Sequence, residues 1–310
     1  VSDDETTTST EVALPEPETA LVRAPRLGVP QTDGAAEGYS AKRTLPMRVE
    51  LARQLRRVRT RLTLAFLVLL PLVLLAAFEL GEDDPRGGRS FADMATASGL
   101  NFAVFTLFVS TGFLLVVVVA LFFGDTVASE ASWSSLKYLL AAPVPRTRLL
   151  RQKAKVAAVL SVLGVVLLVG VALAVGVFWF GTGDLISTTG EALTFPRGAL
   201  SLAAATAYVV IHLSWIAGLA LFLSVNTDAP LGAVGGAVLI SILSEIIDQI
   251  SALGDLRNYL PTHFSTAYSD LLSEDVDLSS MITGSFSALS YAAVFLTLAI
   301  WRFNRKDITS

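Results

Sequence analysis

Cysteine is absent from all 310 residues. That excludes a disulfide framework, a thiolate metal site and a thiol nucleophile. Histidine occurs only twice, at His212 and His263, so a multi-histidine metal site is not expected. Charge is scarce too: 16% of residues are charged, against about 25% in a soluble domain. The chain is 53% hydrophobic, with a mean hydropathy of +0.62. A soluble enzyme and a nucleic-acid binder are both poor readings of such a chain. The net charge of −4 belongs to a tail, because residues 1–40 hold eight acids and two bases. What remains is an integral membrane protein.

A helix needs about 20 apolar residues to cross roughly 30 Å of hydrocarbon. Stretches free of Asp, Glu, Lys and Arg occupy 62–78, 95–124, 156–183, 198–227, 229–244 and 278–301. Each is apolar all round, as a span is and an amphipathic core helix is not. They predict an all-α fold with spans at 62–80, 100–123, 156–180, 199–224, 229–250 and 281–302. The fifth reaches full length only by including Glu245 and Asp248. A five-span alternative would discard it and put the two chain ends on opposite sides.

Charge placement predicts the orientation. Eight bases between residues 42 and 61 lead into the first span, six (Lys137, Arg146, Arg148, Arg151, Lys153 and Lys155) lie between spans two and three, and Arg302, Arg305 and Lys306 follow the last. The alternate loops hold only Arg86, Arg89, Arg197 and Arg257. The excess of bases on cytoplasmic loops then places both termini and the 124–155 connection inside. Five lysines against eighteen arginines, with abundant Ala, Val and Gly, hint at a GC-rich bacterium.

Residues 1–44 are a predicted disordered cytoplasmic tail, without hydrophobic periodicity. They lack the basic and apolar regions of a signal peptide. In 45–61, Leu51, Leu55, Val58 and Leu62 recur at helical spacing, while Arg53, Arg56, Arg57 and Arg61 lie largely elsewhere around the helix. Such a basic helix suits an anionic bilayer surface. Arginines that merely enforce topology are the equal alternative.

The connection 124–155 carries an apolar stripe, Trp133, Leu136, Leu139 and Leu140. Pro143 and Pro145 stop that helix, since proline lacks the amide donor. A second helical run, 146–155, feeds into the third span. An apolar knob on a basic loop has the form of a segment that docks in a partner's groove. An interfacial helix lying on lipid is the other reading.

The run from Glu130 through Pro143 and Pro145 to Arg146, followed by Leu149, Leu150 and Lys153, resembles the cytoplasmic loop of ATP-binding-cassette type-2 permeases, the membrane subunits of type V exporters. Leu260-Pro261-Thr262-His263-Phe264 resembles that family's Leu-Pro-Thr-His segment, and the ending from Phe303 to Asp307 and Ile308 resembles its basic-Asp-Ile close. The resemblance covers residues 45–310. Ser134-Ser135 departs from the usual Gly-Thr pair.

By this resemblance, 45–61 would be the cytoplasmic connecting helix, and 130–142 would contain the coupling helix that meets an ATPase. The coupling residues implied are Glu130, Trp133, Leu136, Lys137, Leu139, Leu140, Pro143 and Arg146. Re-entrant helices would lie between spans five and six. The family assembles two permease units, identical or related, with two ATPase subunits. No Gly-x-x-x-x-Gly-Lys-Ser/Thr phosphate loop occurs here, so the chain is expected to bind no cofactor itself, with ATP and magnesium on the partner. The expected activity is ATP-driven export of a drug-like, peptide or lipid-like substrate across a bacterial plasma membrane, not catalysis by this chain.

Glu245 and Asp248 share a helix face at i, i+3. Intramembrane carboxylates usually face a cavity or a partner, so both are candidate pathway residues, with His212 as a third. The alternatives are an interfacial position for the carboxylates, neutralised by Arg257, and a hydrogen bond to a neighbouring helix for His212. Glu79 ends the first span at the interface, and Gly232, Gly235 and Gly236 suit close helix packing. An intramembrane hydrolase would need a signature absent here. An ion-coupled secondary transporter would show internal repeats or paired broken helices, and neither is evident.

Overall fold

The computed structural model describes residues 47–81, 94–132, 145–187, 191–272 and 276–306. The predicted tail, the stripe from Trp133 to Leu140, Pro143 and the closing Asp307-Ile308 lie outside the described residues. The helices are α1 (Met47–Arg56), α2 (Val58–Leu80), α3 (Gly99–Thr111), α4 (Leu114–Ser132), α5 (Arg146–Phe180), α6 (Phe195–His212), α7 (Ser214–Asn226), α8 (Pro230–Asp248) and α9 (Ser279–Arg305). Two 3₁₀ stretches, Ser251–Tyr259 and Ala267–Leu272, fill much of the connection from α8 to α9. The strands β1 (Leu185–Ile186) and β2 (Ala192–Leu193) pair antiparallel, Leu185 opposite Leu193, a small departure from the all-α expectation.

Among the described residues, six helical stretches are long and apolar enough to cross a membrane: α2, α4, α5, the α6–α7 run, α8 and α9. The chain is a multi-pass α-helical membrane protein. Local chemistry sets the helix ends. Ser98 caps α3 by accepting from the Asn101 amide. Proline opens α6 and α8, where its missing N–H costs nothing. Gly181 ends α5 at φ +80°, a backbone conformation favourable to glycine. At 35 residues, α5 is about 52 Å long, so its first three turns, which carry five bases, extend past the apolar part.

Three expectations are corrected. The run 45–61 is not one helix: Arg57 is extended (φ −65°, ψ 133°) and separates α1 from α2. Val58 and Leu62 therefore leave the Leu51–Leu55 stripe and are exposed. Spans two and four are each interrupted, at Gly112-Phe113 and at Leu213. Gly112 and Leu213 keep helical dihedrals, so these are local breaks without unwound backbone.

The third correction concerns close packing, which among Gly232, Gly235 and Gly236 holds only at Gly236, where a Cβ would lie 3.3 Å from Leu223, and is tighter at other glycines. A Cβ on Gly235 would meet nothing within 4 Å, whereas one on Gly99 would lie 2.5 Å from the Val177 nitrogen, and one on Gly176 would lie 2.8 Å from the Gly99 oxygen. The crossing of α3 and α5 thus needs glycine on both sides.

Hydrogen bonds identify which loops share an end of the bundle. At one end, Arg146 donates to the carbonyls of Asn304 (3.2 Å) and Lys306 (2.9 Å), Lys306 binds Asp228 (2.8 Å), and Arg302 binds Asn226 (3.1 Å). At the other, the Gly99 amide donates to the Gly181 carbonyl (3.1 Å), the Trp179 indole to Glu79 (2.6 Å), and Asn101 exchanges two bonds with Ile186. The even span count accordingly brings α1 and the end of α9 to the same end.

Candidate functional site

Where α1, α4 and α5 meet, at the end that carries Arg146 and Lys306, seven ionisable side chains form one network. Glu130, on the last turns of α4, is the hub. Its Oε1 accepts from Lys153 Nζ of α5 (3.0 Å) and Arg53 of α1 (3.1 Å), and Arg57 stands 3.8 Å away. Glu50 accepts from Arg53 (2.8 Å) and Gln54 (3.3 Å), with Lys153 at 3.8 Å. Asp125, more than a turn before Glu130, accepts from Arg57 (3.1 Å) and Arg59.

The arrangement follows from local structure. Asp125 and Glu130 project from the later turns of α4, and α1 reaches Glu130 through the Arg53 side chain. Extended backbone at Arg57 turns the chain so that Arg53, before the elbow, and Arg57 and Arg59, at and after it, converge on the two carboxylates. Met47, Leu51 and Leu55 pack the other face of α1 on the core.

Side-chain exposure is 5% at Lys153, 7% at Glu130 and 9% at Glu50, but 46% at Arg53 and 51% at Arg59. A buried pair flanked by half-exposed arginines is costly to break, because loss of one partner strands a charge out of water. Burial raises the Glu50 carboxyl, but the Arg53 hydrogen bond and the charge of Lys153 outweigh it and hold Glu50 below its ordinary value of 4.5.

Of the coupling residues, Glu130 and Arg146 are described, and both turn inward. Glu130 is the hub of the network, and Arg146 ties α5 to the end of α9. The network therefore grips both flanks of the 133–144 connection. Sequence reasoning singled out Glu130 and noted Lys153, but it missed Glu50 and Asp125. The only signal for those two was their status as acids near apolar segments beside many arginines.

Of the proposed pathway residues, Glu245 and Asp248 stand one turn apart near the end of α8, and His212 ends α6. Asp248 pairs with His263 (2.6 Å), not with Arg257. One turn earlier, Ser244 shares a 2.7 Å hydrogen bond with Thr262. The Tyr208 hydroxyl donates to the Phe264 carbonyl (2.6 Å). The segment 260–264 is thus pinned to α8 and α6 by three polar contacts, and both titratable groups of the Asp248–His263 pair serve that clamp. Glu245 is half-buried beside them. His212 is buried at the break in span four, its ring 6.0 Å from that of Tyr208, and its Nδ1 has no hydrogen-bond partner among the described residues.

Six apolar helical stretches among the described residues, with an ion network where α1, α4 and α5 meet at one end, define a polytopic membrane protein. The chain belongs to the DUF2705 family, proteins of unknown function, whose family model matches residues 61–309. No curated protein matches the chain.

Proposed function

We propose that this chain is the permease subunit of an ATP-driven type V exporter, paired with separate ATPase subunits. The observation that carries the reading is the Glu130–Lys153 pair. It joins the two helices flanking the 133–144 connection to each other and, through Arg53 and Glu50, to α1. A loop that receives force from an ATPase must pass it to the spans, and a buried ion network at its root makes a stiff attachment. In this reading α1 is the connecting helix and 130–142 contains the coupling helix. The clamped segment 251–272 serves as the outer re-entrant gate, and the end rich in bases lies in the cytoplasm of a bacterial cell.

The test is reconstitution with a candidate phosphate-loop ATPase, sought first among the reading frames that neighbour this one. Replacing Leu139 and Leu140 by Asp removes the apolar anchors that dominate such interfaces. ATPase subunits should dissociate on gel filtration while the spans stay folded. Survival of the complex with coupled transport would overturn the assignment. Transport by vesicles holding this chain alone would favour an ion-coupled carrier instead.

A further inference from the structure

On the membrane-facing side of α5, a cavity of about 510 Å³ opens between α4, α5, α6, α7 and α9. Its size falls within the roughly 300–1,000 Å³ of small-molecule sites. The wall is almost wholly apolar, formed by side chains such as Val162, Leu221 and Leu296. Two features break that pattern. At the end of the bundle shared with the ion network, Arg151 and Lys155 border the cavity. They stand one turn apart on one face of α5, both are exposed, and neither has an ion pair among the described residues. Their neighbour Lys153, by contrast, points inward to Glu130. Deeper in, the hydroxyls of Ser161 and Ser214 line the wall, buried and without hydrogen-bond partners among the described residues.

We infer that this cavity holds one chain of an anionic glycerophospholipid from the adjoining leaflet, with the phosphate seated on Arg151 and Lys155. Charge complementarity selects the occupant. Two unneutralised cations beside an apolar slot suit an anionic headgroup with a hydrocarbon tail, and basic pockets between spans favour such lipids. The two serine hydroxyls are free to donate to oxygens of the bound molecule. The inference stands independently of the exporter reading.

The experiment uses the full chain in nanodiscs containing equal amounts of dioleoyl phosphatidylglycerol and dioleoyl phosphatidylcholine, with retained lipid counted by native mass spectrometry. Two basic contacts give phosphatidylglycerol an expected preference of roughly thirty-fold. Replacing both by Ser (R151S/K155S) should bring the preference close to parity, while Arg148→Ser, on the same helix but outside the cavity, should leave it intact. Ala158→Phe, at an exposed lining position, should expel the lipid with an unchanged melting temperature. Three results overturn the proposal: equal loss in R148S, which means general surface attraction; lipid retained by folded A158F; or displacement by oleate as effective as by phosphatidylglycerol, which makes the occupant a free fatty acid.

Discussion

Around Glu130, three cations lie within 3.8 Å of one carboxylate oxygen, at a position almost closed to water. Loss of Lys153 leaves Glu130 and Glu50 buried with only the partly exposed arginines to balance them. Lys153→Met should therefore cost about 3 kcal/mol of stability, read as a lower unfolding midpoint in a denaturant titration. Combining it with Glu130→Leu should cost less than the sum of the single changes, because the second removes the charge that the first stranded. A strictly additive cycle would mean the pair carries no coupling. At the opposite end, Asp248→Asn weakens a charge-assisted bond to His263 and should cost about 1–2 kcal/mol. Glu245→Gln, with no bond to lose among the described residues, should be near neutral in the same titration.

The elements divide by how their ends are held. Helix α1 is short and depends on contacts beyond its own hydrogen bonds, since ten residues are marginal for an isolated helix. Glu50 braces it from within, bonded to Arg53 and Gln54 of the same helix and 3.8 Å from Lys153 of α5, and its carboxyl is held below 4.5 in the fold. A depressed folded-state value means the contribution is complete above pH 4.5 and is lost as the pH falls through the lower folded value. Hydrogen exchange at 47–56, corrected for intrinsic rates, should therefore rise as the pH falls below 4.5, before the spans respond. Glu50→Gln should show the raised exchange at neutral pH and no further acid step. An acid step that persists in E50Q would assign the effect to another carboxylate. The breaks in spans two and four belong to this scale as well. Their helical dihedrals keep the rods continuous, unlike the unwound segments from which carriers build ion sites.

For the whole molecule, one end of the bundle gathers the basic first turns of α5, the ion network and the last turn of α9, and the other carries the hairpin and the clamped segment 260–264. Such polarity suits force arriving at one end and a barrier at the other. Under the proposed exporter reading a six-span unit is half of one pathway, so that reading predicts an active particle of two permease chains and two ATPase subunits. Native mass spectrometry of the ATPase-active complex measures this directly, and an active particle with one permease chain would refute it.

Composition and charge-free run lengths were enough to determine the membrane class and the six spans, because lipid demands long apolar helices whatever their neighbours. The basic run 146–155 was legible as a helix entering span three, and α5 contains it. The identity of the glycines that pack closely was not legible. Gly99 and Gly176 matter only because α3 and α5 cross where they do, while Gly235 faces open space. The elbow at Arg57 was hidden too, since apolar periodicity passes through it and only the carboxylates of α4 draw the arginines inward. Glu130 carried its significance in the sequence through a loop motif. Its three cations come from residues 23 to 77 positions away, and only tertiary packing can bring charges so distant in the chain onto a single oxygen.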